Sequence, residues 1–303
     1  MTKALLIMGP TASGKSALAL ALAERIGGEI VNADSMQVYR DLRVLTARPT
    51  PEEESRAPHH LYGHVDAGER YSVGRWLADV RAAIAAIGAR GAAPIVVGGT
   101  GLYFKALTEG LRSAPATSTA QSAAWTARLA QEGAPALHAE LMRRDPAGGA
   151  RLNPNDAPRI LRALMVLEAT GAPLASFAQT PALDDWVGYL LVPERAVLHR
   201  TIEARFAAML AAGALEEVRA LAARGLDPAQ PAMKAHGVPA LIAHIRGALD
   251  LDTAAGIAAR DTRRYAKRQF TWMANQMPGW SKIEAPGLDA RLAHLLSKNR
   301  ASG

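Results

Sequence analysis

Residues 5–18 read LLIMGPTASGKSAL, and this stretch decides the fold. An apolar run ends at Gly9, four residues follow, and Gly14-Lys15-Ser16 opens a segment rich in Ala, Leu and Glu that is typical of a helix. This is the pattern G-x-x-x-x-G-K-[ST] in a strand, loop and helix context. Such a loop curls its N–H groups around phosphate oxygens, while the helix N-terminus and Lys15 add positive charge. The stretch predicts binding of a diphosphate or triphosphate, with Ser16 placed to ligate Mg²⁺.

The composition predicts a soluble globular protein with one substantial core and a smaller subdomain. The chain has 303 residues, of which 49% are hydrophobic, and it contains no cysteine. Disulfides and thiolate metal sites are therefore excluded. No apolar run approaches the ~20 residues of a membrane span, and Leu5–Met8 leads into the loop rather than forming a signal peptide. We expect a cytoplasmic protein.

The positive charge of the chain is unevenly distributed. The net charge is +7, and residues 260–300 alone contribute nine basic side chains against three acidic ones. A helix over residues 260–276 is predicted to carry five of these basic groups on one broad side. Such a stripe is either a solvated helix face or a surface for a polyanionic partner such as RNA, and charge alone does not decide between them.

Polar residues follow a second predicted strand, within residues 29–35 (EIVNADS). In a doubly wound sheet, ligands bind outside the carboxyl ends of the strands, so we expect Asp34 and Ser35 beside the phosphate-binding loop. A carboxylate there can accept a proton from a group that attacks a phosphorylated ligand. The alternative is that Asp34 caps the next helix. Gln37 and Met36 are suited to contact a planar base, although Met36 is equally suited to core packing.

A third strand is predicted over residues 94–97, followed by a sharp turn at Gly98-Gly99-Thr100-Gly101. This turn also lies at the carboxyl end of a strand, where its glycines would let a ligand approach the Thr100 hydroxyl closely. A purely structural tight turn is the alternative explanation.

The middle of the chain predicts a helical insertion. Around residues 112–119 the composition shifts to Ser, Ala, Pro and Thr, which is typical of a linker. Helices are predicted over residues 125–141 and 158–169, and a strand over residues 186–193 returns the chain to the sheet. We therefore predict a core domain of residues 1–113 and 183–303, with a helical insertion domain of residues 114–182. Arg159 and Arg162 share a helix face, which suits either a phosphate backbone or surface salt bridges.

Six segments, taken in chain order, resemble the tRNA dimethylallyltransferases. They read GPTASGKS (9–16), DSMQVYR (34–40), PHHL (58–61), VGGTGLY (97–103), NPND (153–156) with residues 159–166, and YAKRQFTW (265–272). The resemblance implies an α/β fold of the P-loop NTPase type, a parallel sheet flanked by helices, with the insertion domain contacting tRNA. It implies Mg²⁺-dependent transfer of a dimethylallyl group from dimethylallyl diphosphate to N6 of the adenosine 3′-adjacent to the anticodon (position 37). The products are N6-dimethylallyladenosine and diphosphate.

The resemblance also assigns residues to roles. Asp34 would deprotonate the adenine amine, and Thr100 would hydrogen-bond near the reacting centre. Diphosphate binding is assigned to Gly9, Pro10, Thr11, Ala12, Ser13, Gly14, Lys15, Ser16 and Arg263, with Ser16 on Mg²⁺. Binding of tRNA is assigned to Asp34, Ser35, Met36, Gln37, Thr100, Ser122, Pro158, Arg159, Ile160, Leu161, Arg162 and Lys267. Arg263 and Lys267 are each able to reach either the diphosphate or the tRNA, and we expect a monomer.

Two other functions are compatible with parts of the sequence. A nucleoside or small-molecule kinase fits the loop, the carboxylate and the hydroxyl, but it has no need of so extended a basic surface. A non-catalytic RNA-binding protein fits the basic residues alone. The chain also departs from the family pattern, because residues 237–240 read GVPA where the family commonly has Gly-Tyr-Arg-Gln.

Overall fold

The computed structural model describes residues 3–115 and 117–301. Six strands form one sheet in the order β3-β2-β4-β1-β5-β6, and every neighbouring pair is parallel. The strands are β1 (Ala4–Met8), β2 (Gly28–Asn32), β3 (His59–His60), β4 (Ala93–Gly98), β5 (Trp186–Leu191) and β6 (Ser281–Ile283). The parallel α/β architecture predicted from the sequence is confirmed.

Thirteen helices are present in the described part of the chain, and none of them is long and apolar enough to cross a membrane. They are α1 (Lys15–Ile26), α2 (Pro51–Arg56), α3 (Val73–Ala89), α4 (Gly101–Glu109), α5 (Thr119–Glu132), α6 (Ala134–Arg144), α7 (Pro146–Gly149), α8 (Ala157–Thr170), α9 (Arg195–Ala211), α10 (Ala214–Ala223), α11 (Val238–Ile245), α12 (Leu251–Gln276) and α13 (Leu288–Ala301). Two 3₁₀ turns lie at Leu174–Ser176 and Ala232–Lys234.

The chain divides into two compact units. The first comprises Met1–Thr108 and Leu183–Gly303, and the second comprises Glu109–Ala182. The helical unit thus begins at Glu109 rather than at residue 114. Its two ends are joined to each other, because Leu111 N donates to Thr180 Oγ1 and Thr180 N donates to the Leu111 carbonyl, both at 2.8 Å. That contact links residues 69 positions apart, so the local composition of the linker did not reveal it.

Apolar residues on both faces bury the central strands of the first unit. All five residues of β1 are buried, and Leu18 and Leu22 of α1 pack into the same core as Ile95 of β4. Strands covered by helices on both faces require such continuous apolar runs. Trp76 of α3 stacks on Tyr103 of α4 with ring centroids 4.2 Å apart.

The order of the strands determines which loops meet. Because β2, β4 and β1 are neighbours, their carboxyl ends lie side by side. Backbone bonds continue beyond the strands: Ala33 N donates to the Val97 carbonyl at 2.8 Å, and Thr100 N donates to the Ala33 carbonyl at 3.2 Å. The three segments that the sequence analysis singled out therefore converge at one edge of the sheet.

Several secondary-structure predictions need correction. The helix predicted over residues 125–141 is two helices, because Gly133 has a φ of +79° and Pro135 lies in the first turn of α6. The basic helix starts at Leu251 instead of Arg260, with the Asp250 side chain accepting the Thr253 N–H as its N-cap. The elements α2, β3, α4, α7, β6 and α13 were not predicted.

Gly98 offers a test of how closely these segments pack. A Cβ at this position would collide with the backbone carbonyl of Ala33, and backbone atoms bound into the sheet cannot move aside. We expect Gly98→Ala to lower the free energy of unfolding by about 3 kcal/mol or more. The matched control is Gly88→Ala in α3, where nothing lies within 4 Å of the new methyl group. In that variant the free energy of unfolding should rise by about 0.5–1 kcal/mol. Urea unfolding midpoints measure both, and equal midpoints for the two variants would contradict the packing.

Candidate active site at the phosphate-binding loop

The loop between β1 and α1 is held by one internal hydrogen bond and by one hydrogen bond to α12. Ser13 N donates to the Pro10 carbonyl at 3.2 Å, and Thr11 N donates to Gln269 Oε1 of α12 at 2.9 Å. Gly14 has a φ of +85° and precedes the first residue of α1. The N–H groups of Ala12, Gly14, Lys15, Ser16 and Ala17 donate to none of the described residues. Free N–H groups at a helix N-terminus form an anion site.

Lys15 is held in this loop without a carboxylate partner. Its Nζ lies 3.5 Å from the Pro10 carbonyl oxygen. Burial lowers the pKa of Lys15 from 10.5 to about 8, because the surrounding protein replaces the water that would solvate the ammonium group. The charge of Asp34 raises this pKa and that of Arg205 lowers it. A bound anion would supply the missing charge, as expected of a phosphate-binding lysine.

A buried amide shapes the turn that carries Asp34. Asn32 is fully buried, and its Oδ1 accepts the Asp34 N–H at 2.8 Å while its Nδ2 donates to the carbonyls of Asp34 and Leu61. Asp34 Oδ1 then accepts the Met36 N–H at 2.9 Å. Its other oxygen accepts no hydrogen bond from the described part of the chain. Asp34 therefore forms a local turn rather than a helix cap, and one of its oxygens remains available.

The Thr100 hydroxyl supports this turn from the neighbouring strand. Thr100 Oγ1 accepts the Ser35 N–H at 3.0 Å and donates to Ser35 Oγ at 3.3 Å. Burial, together with the charge of Asp34, raises the pKa of the Tyr265 hydroxyl on α12. Thr100 thus holds the residue that follows Asp34.

The glycines beside Thr100 serve close packing within the protein. A Cβ at Gly99 would collide with the Gln269 amide, and one at Gly101 would collide with the Trp272 ring. Gln269 Nε2 also donates to the Gly99 carbonyl at 2.9 Å. These glycines therefore admit side chains of α12 instead of a ligand, which favours the structural explanation that the sequence left open.

Two cavities lie against the loop. The smaller one, of about 210 Å³, is lined by Asp34, Ser35 and Met36 and also by apolar residues. Those apolar residues are Leu45, Ile202, Phe206 and Met209. The larger cavity, of about 470 Å³, is lined by residues 12–17 and by parts of the segment 43–53. Ala12, Arg205 and Met209 line both cavities, so the two spaces adjoin at the loop.

Arg205 and Gln269 are site residues that the sequence analysis missed. Arg205 lies within α9, borders both cavities and forms no ion pair with a described residue. Burial lowers its pKa. Each is one polar residue in a long helix, and no local spacing distinguishes it from a solvent-facing neighbour.

The smaller cavity is also lined by a histidine that directly precedes residues 237–240, the segment that departs from the family pattern. His236 lines this cavity, with its ring 4.8 Å from that of Tyr265. Burial, together with the charge of Arg268, lowers the pKa of His236, so its ring is neutral at pH 7. The chain therefore places a neutral ring just before Gly237.

One carboxylate fixes the segment between the two cavities. Glu217 of α10 accepts three successive backbone N–H groups, those of Arg43, Val44 and Leu45, at 2.6 to 2.9 Å. Gln37 completes the arrangement, because its Nε2 donates to the carbonyls of Thr46 and Ala47. The amide N–H groups of Gln37 thus bind the protein's own loop, and its contact with a base stays a prediction.

Several other predicted site residues lie away from the cavities. Arg263 donates from Nη1 to Glu203 Oε1 at 2.6 Å and borders neither cavity. Its role in diphosphate binding stays a prediction that this arrangement does not favour. Lys267 is exposed on α12, and its side chain bonds to none of the described residues.

The helical unit presents only part of its predicted tRNA-binding set to solvent. Pro158 and Arg159 are exposed, whereas Ser122, Leu161 and Arg162 are half-buried. Arg162 donates to the carbonyls of Ala114 and Pro115. The Ile160 side chain is fully buried in the core of this unit, and the contact of Ile160 with tRNA stays a prediction that this burial does not favour.

Sequence comparisons agree with the geometry. Residues 37–276 match the family model described as IPP transferase, and residues 2–61 match the one described as isopentenyl transferase. The chain is 56% identical to a tRNA dimethylallyltransferase of Nitrobacter hamburgensis, over 96% of this chain and 93% of that protein. A tRNA dimethylallyltransferase of Rhodopseudomonas palustris is also 56% identical, over 95% of this chain and 92% of that protein.

Solved structures give the same result. A tRNA isopentenylpyrophosphate transferase from Bacillus halodurans matches with a TM-score of 0.72 and 32% identity, over 99% of this chain and 96% of that one. A eukaryotic dimethylallyltransferase, described as acting on tRNA, matches with a TM-score of 0.81 and 26% identity, over 100% of this chain and 80% of that one.

Lys15 should destabilise the protein when no anion is bound. We expect Lys15→Met to raise the free energy of unfolding at pH 7 by up to about 3 kcal/mol, from the pKa difference of 10.5 against about 8. The gain in stability from Lys15→Met should shrink as the pH rises above 8. The folded wild type then loses this proton, while its unfolded chain keeps it up to about pH 10.5. Urea unfolding at pH 7 and pH 9.5 measures the effect, and Lys267→Met on the exposed face of α12 should change neither value. A variant less stable than wild type at pH 7 would contradict this account.

Glu217 should hold the segment 43–45 in place. We expect Glu217→Gln to cost about 1–3 kcal/mol of stability, because the amide turns an N–H group towards backbone donors. Hydrogen exchange of peptides spanning residues 42–48 should accelerate. The control is Glu216→Gln, whose partner is Arg219 at the surface, and it should change stability by less than about 0.5 kcal/mol. Unchanged exchange in Glu217→Gln would show that the segment is held by other contacts.

Proposed function

The chain belongs to the tRNA dimethylallyltransferase family, and on that premise we propose that it transfers a dimethylallyl group from dimethylallyl diphosphate to a tRNA adenosine. The acceptor is N6 of the adenosine 3′-adjacent to the anticodon, and the products are N6-dimethylallyladenosine and diphosphate. We propose that the enzyme is a monomer and that it acts in the cytoplasm.

One observation carries the proposal: a carboxylate with a free oxygen and an anion-binding loop border the same cavity. Asp34 faces this cavity together with Thr11 and Ala12 of the loop. The loop's free N–H groups and Lys15 adjoin it on the side of the larger cavity. An attacking amine at Asp34 and a departing diphosphate at the loop would therefore lie on opposite sides of one reacting carbon.

The positive groups around the loop suit a leaving diphosphate. Negative charge builds on the diphosphate as the allylic C–O bond breaks, and fixed donors aimed at that charge stabilise it most where water is excluded. Lys15 and Arg205 supply full charges, and the free N–H groups at the start of α1 supply oriented dipoles. Neither cation is neutralised by an ion pair with a described residue, so both are available to the diphosphate.

The apolar wall of the smaller cavity suits the five-carbon group. Leu45, Ile202, Phe206 and Met209 present hydrocarbon where the allylic carbon would lie. Such a wall excludes water, which would otherwise attack the carbon as positive charge develops on it. The cavity thus favours attack by the adenine amine over hydrolysis.

Asp34 suits the role of general base. The adenine amine is a weak nucleophile, so removing its proton as the C–N bond forms assists the attack. The C–N bond replaces the C–O bond, the proton passes to the free Asp34 oxygen, and the electron pair leaves with the diphosphate. Thr100 maintains this position by holding Ser35. The base must leave its stack in the anticodon loop to reach the cavity, as enzymes acting on bases generally require.

The residues present also fit Mg²⁺. The described residues contain no cluster of three or more His, Asp or Glu side chains that could hold a metal ion. Mg²⁺ commonly binds through few protein oxygens and the phosphates of a substrate, and Ser16 lines the larger cavity with an exposed hydroxyl. We propose that Ser16 holds Mg²⁺ together with the diphosphate. When bound, the ion would add further positive charge for the leaving group.

Asp34→Asn tests the proposed function directly. Asparagine keeps an oxygen for the Met36 N–H but cannot take the amine proton, so we expect kcat to fall about 10²- to 10⁴-fold. Binding of inorganic diphosphate should be no weaker, because a negative charge near Lys15 is removed. Mass spectrometry of tRNA incubated with dimethylallyl diphosphate and Mg²⁺ measures transfer, and calorimetry measures diphosphate binding. The control is Asp252→Asn, an exposed residue at the start of α12, which should retain wild-type activity.

The same experiment distinguishes the alternatives. Phosphorylation of a small acceptor by a nucleoside triphosphate, without prenyl transfer, would indicate a kinase. Binding of tRNA without turnover in wild type, and with equal affinity in Asp34→Asn, would indicate a non-catalytic RNA-binding protein. Either result would overturn the proposed function.

A further inference from the structure

Helix α13 brings a cation to the back of the phosphate-binding loop. Leu295 of this helix is fully buried in the core of the first unit, and Leu292 and Leu296 pack against the same core. That core includes Leu18 and Leu22 of α1, the helix that the loop precedes. These contacts fix α13 beside α1 and place Arg291 next to the loop.

Arg291 donates its hydrogen bonds to backbone carbonyls. Its Nη1 donates to the Ser13 carbonyl at 3.0 Å, and its Nε donates to the Ala285 carbonyl at 2.8 Å. It forms no ion pair with an acidic residue in the described part of the chain. The guanidinium is half-buried, and Nη1 is the atom nearest to where a Cβ on Gly14 would lie. A positive charge is therefore fixed beside the anion site without being neutralised.

The bond to Ser13 orients the next N–H group. In a planar trans peptide, the C=O and the following N–H point in opposite directions. Because Arg291 fixes the Ser13 carbonyl on its own side, the Gly14 N–H points away from it. This N–H donates to none of the described residues, and Gly14 lines the larger cavity. Gly14 has a φ of +85°, a conformation that glycine adopts without strain.

We infer that Arg291 is a positioning residue for the diphosphate: it holds the Ser13–Gly14 peptide with its N–H towards the anion and adds long-range positive charge. The assignment deepens the proposed function, on which it rests, by making α13 part of the diphosphate-binding apparatus. Binding of diphosphate and docking of α13 are then linked, so each strengthens the other.

The test measures inorganic diphosphate binding, which needs no prenyl transfer. We expect Arg291→Ala to raise the diphosphate Kd about tenfold, since a charged group that restrains a donor is lost. Arg291→Lys should restore the Kd to within about threefold of wild type, because lysine keeps the charge and can reach one carbonyl. The matched control is Lys282→Ala, an exposed basic residue of β6, which should leave the Kd unchanged. The KM for tRNA should be the same in all variants.

Hydrogen exchange provides a second measurement. In wild type, diphosphate should slow exchange of amides in residues 288–298, and in Arg291→Ala it should not. If Arg291→Ala does not fold, Arg291→Gln replaces it in both measurements. A folded Arg291→Ala or Arg291→Gln that binds diphosphate within twofold of wild type would overturn the inference. Failure of the wild type to bind diphosphate would instead count against the proposed function.

Discussion

Three cations surround the loop after β1, and none of them forms an ion pair with a described carboxylate. Lys15 lies within the loop, Arg205 borders it from α9, and Arg291 holds it from α13. Burying charge without a partner is costly, and the lowered pKa of Lys15 reflects that cost. The rest of the first unit supplies the packing energy that keeps these groups together. A site of this kind is suited to an anion that the protein's own side chains do not supply.

The parallel sheet explains why so few residues suffice for the chemistry. Neighbouring parallel strands end at the same edge, so the loop after β1 and the turns after β2 and β4 meet without long connections. Close packing then fixes their relative positions, with Gly98 against the Ala33 backbone and Gln269 joining Thr11 to Gly99. Asp34 therefore faces the loop because of backbone geometry, and its own hydrogen bonds only refine its orientation.

Local patterns predicted the parts of the structure that depend on short-range geometry. The loop, the strands before Asp34 and Thr100, and the α/β class follow from spacing and from apolar runs. Glu217 and Gln269 were missed because their partners are distant in sequence, and Arg205 was missed because only the folded chain brings α9 to the loop. Gln269, for example, bonds to a residue 258 positions away. The burial of Ile160 was not foreseen for a related reason, because a residue inside a family motif is as readily part of the core as of a surface.

The contact between Thr11 and Gln269 has a consequence for how the protein is made. The loop precedes α12 and α13 in the chain and so leaves the ribosome before them, yet residues from these two helices hold it in shape. A nascent chain that has completed only β1 and α1 contains the whole sequence motif but not its restraints. The anion site therefore takes its final shape only after α12 and α13 have been synthesised and have folded onto the loop.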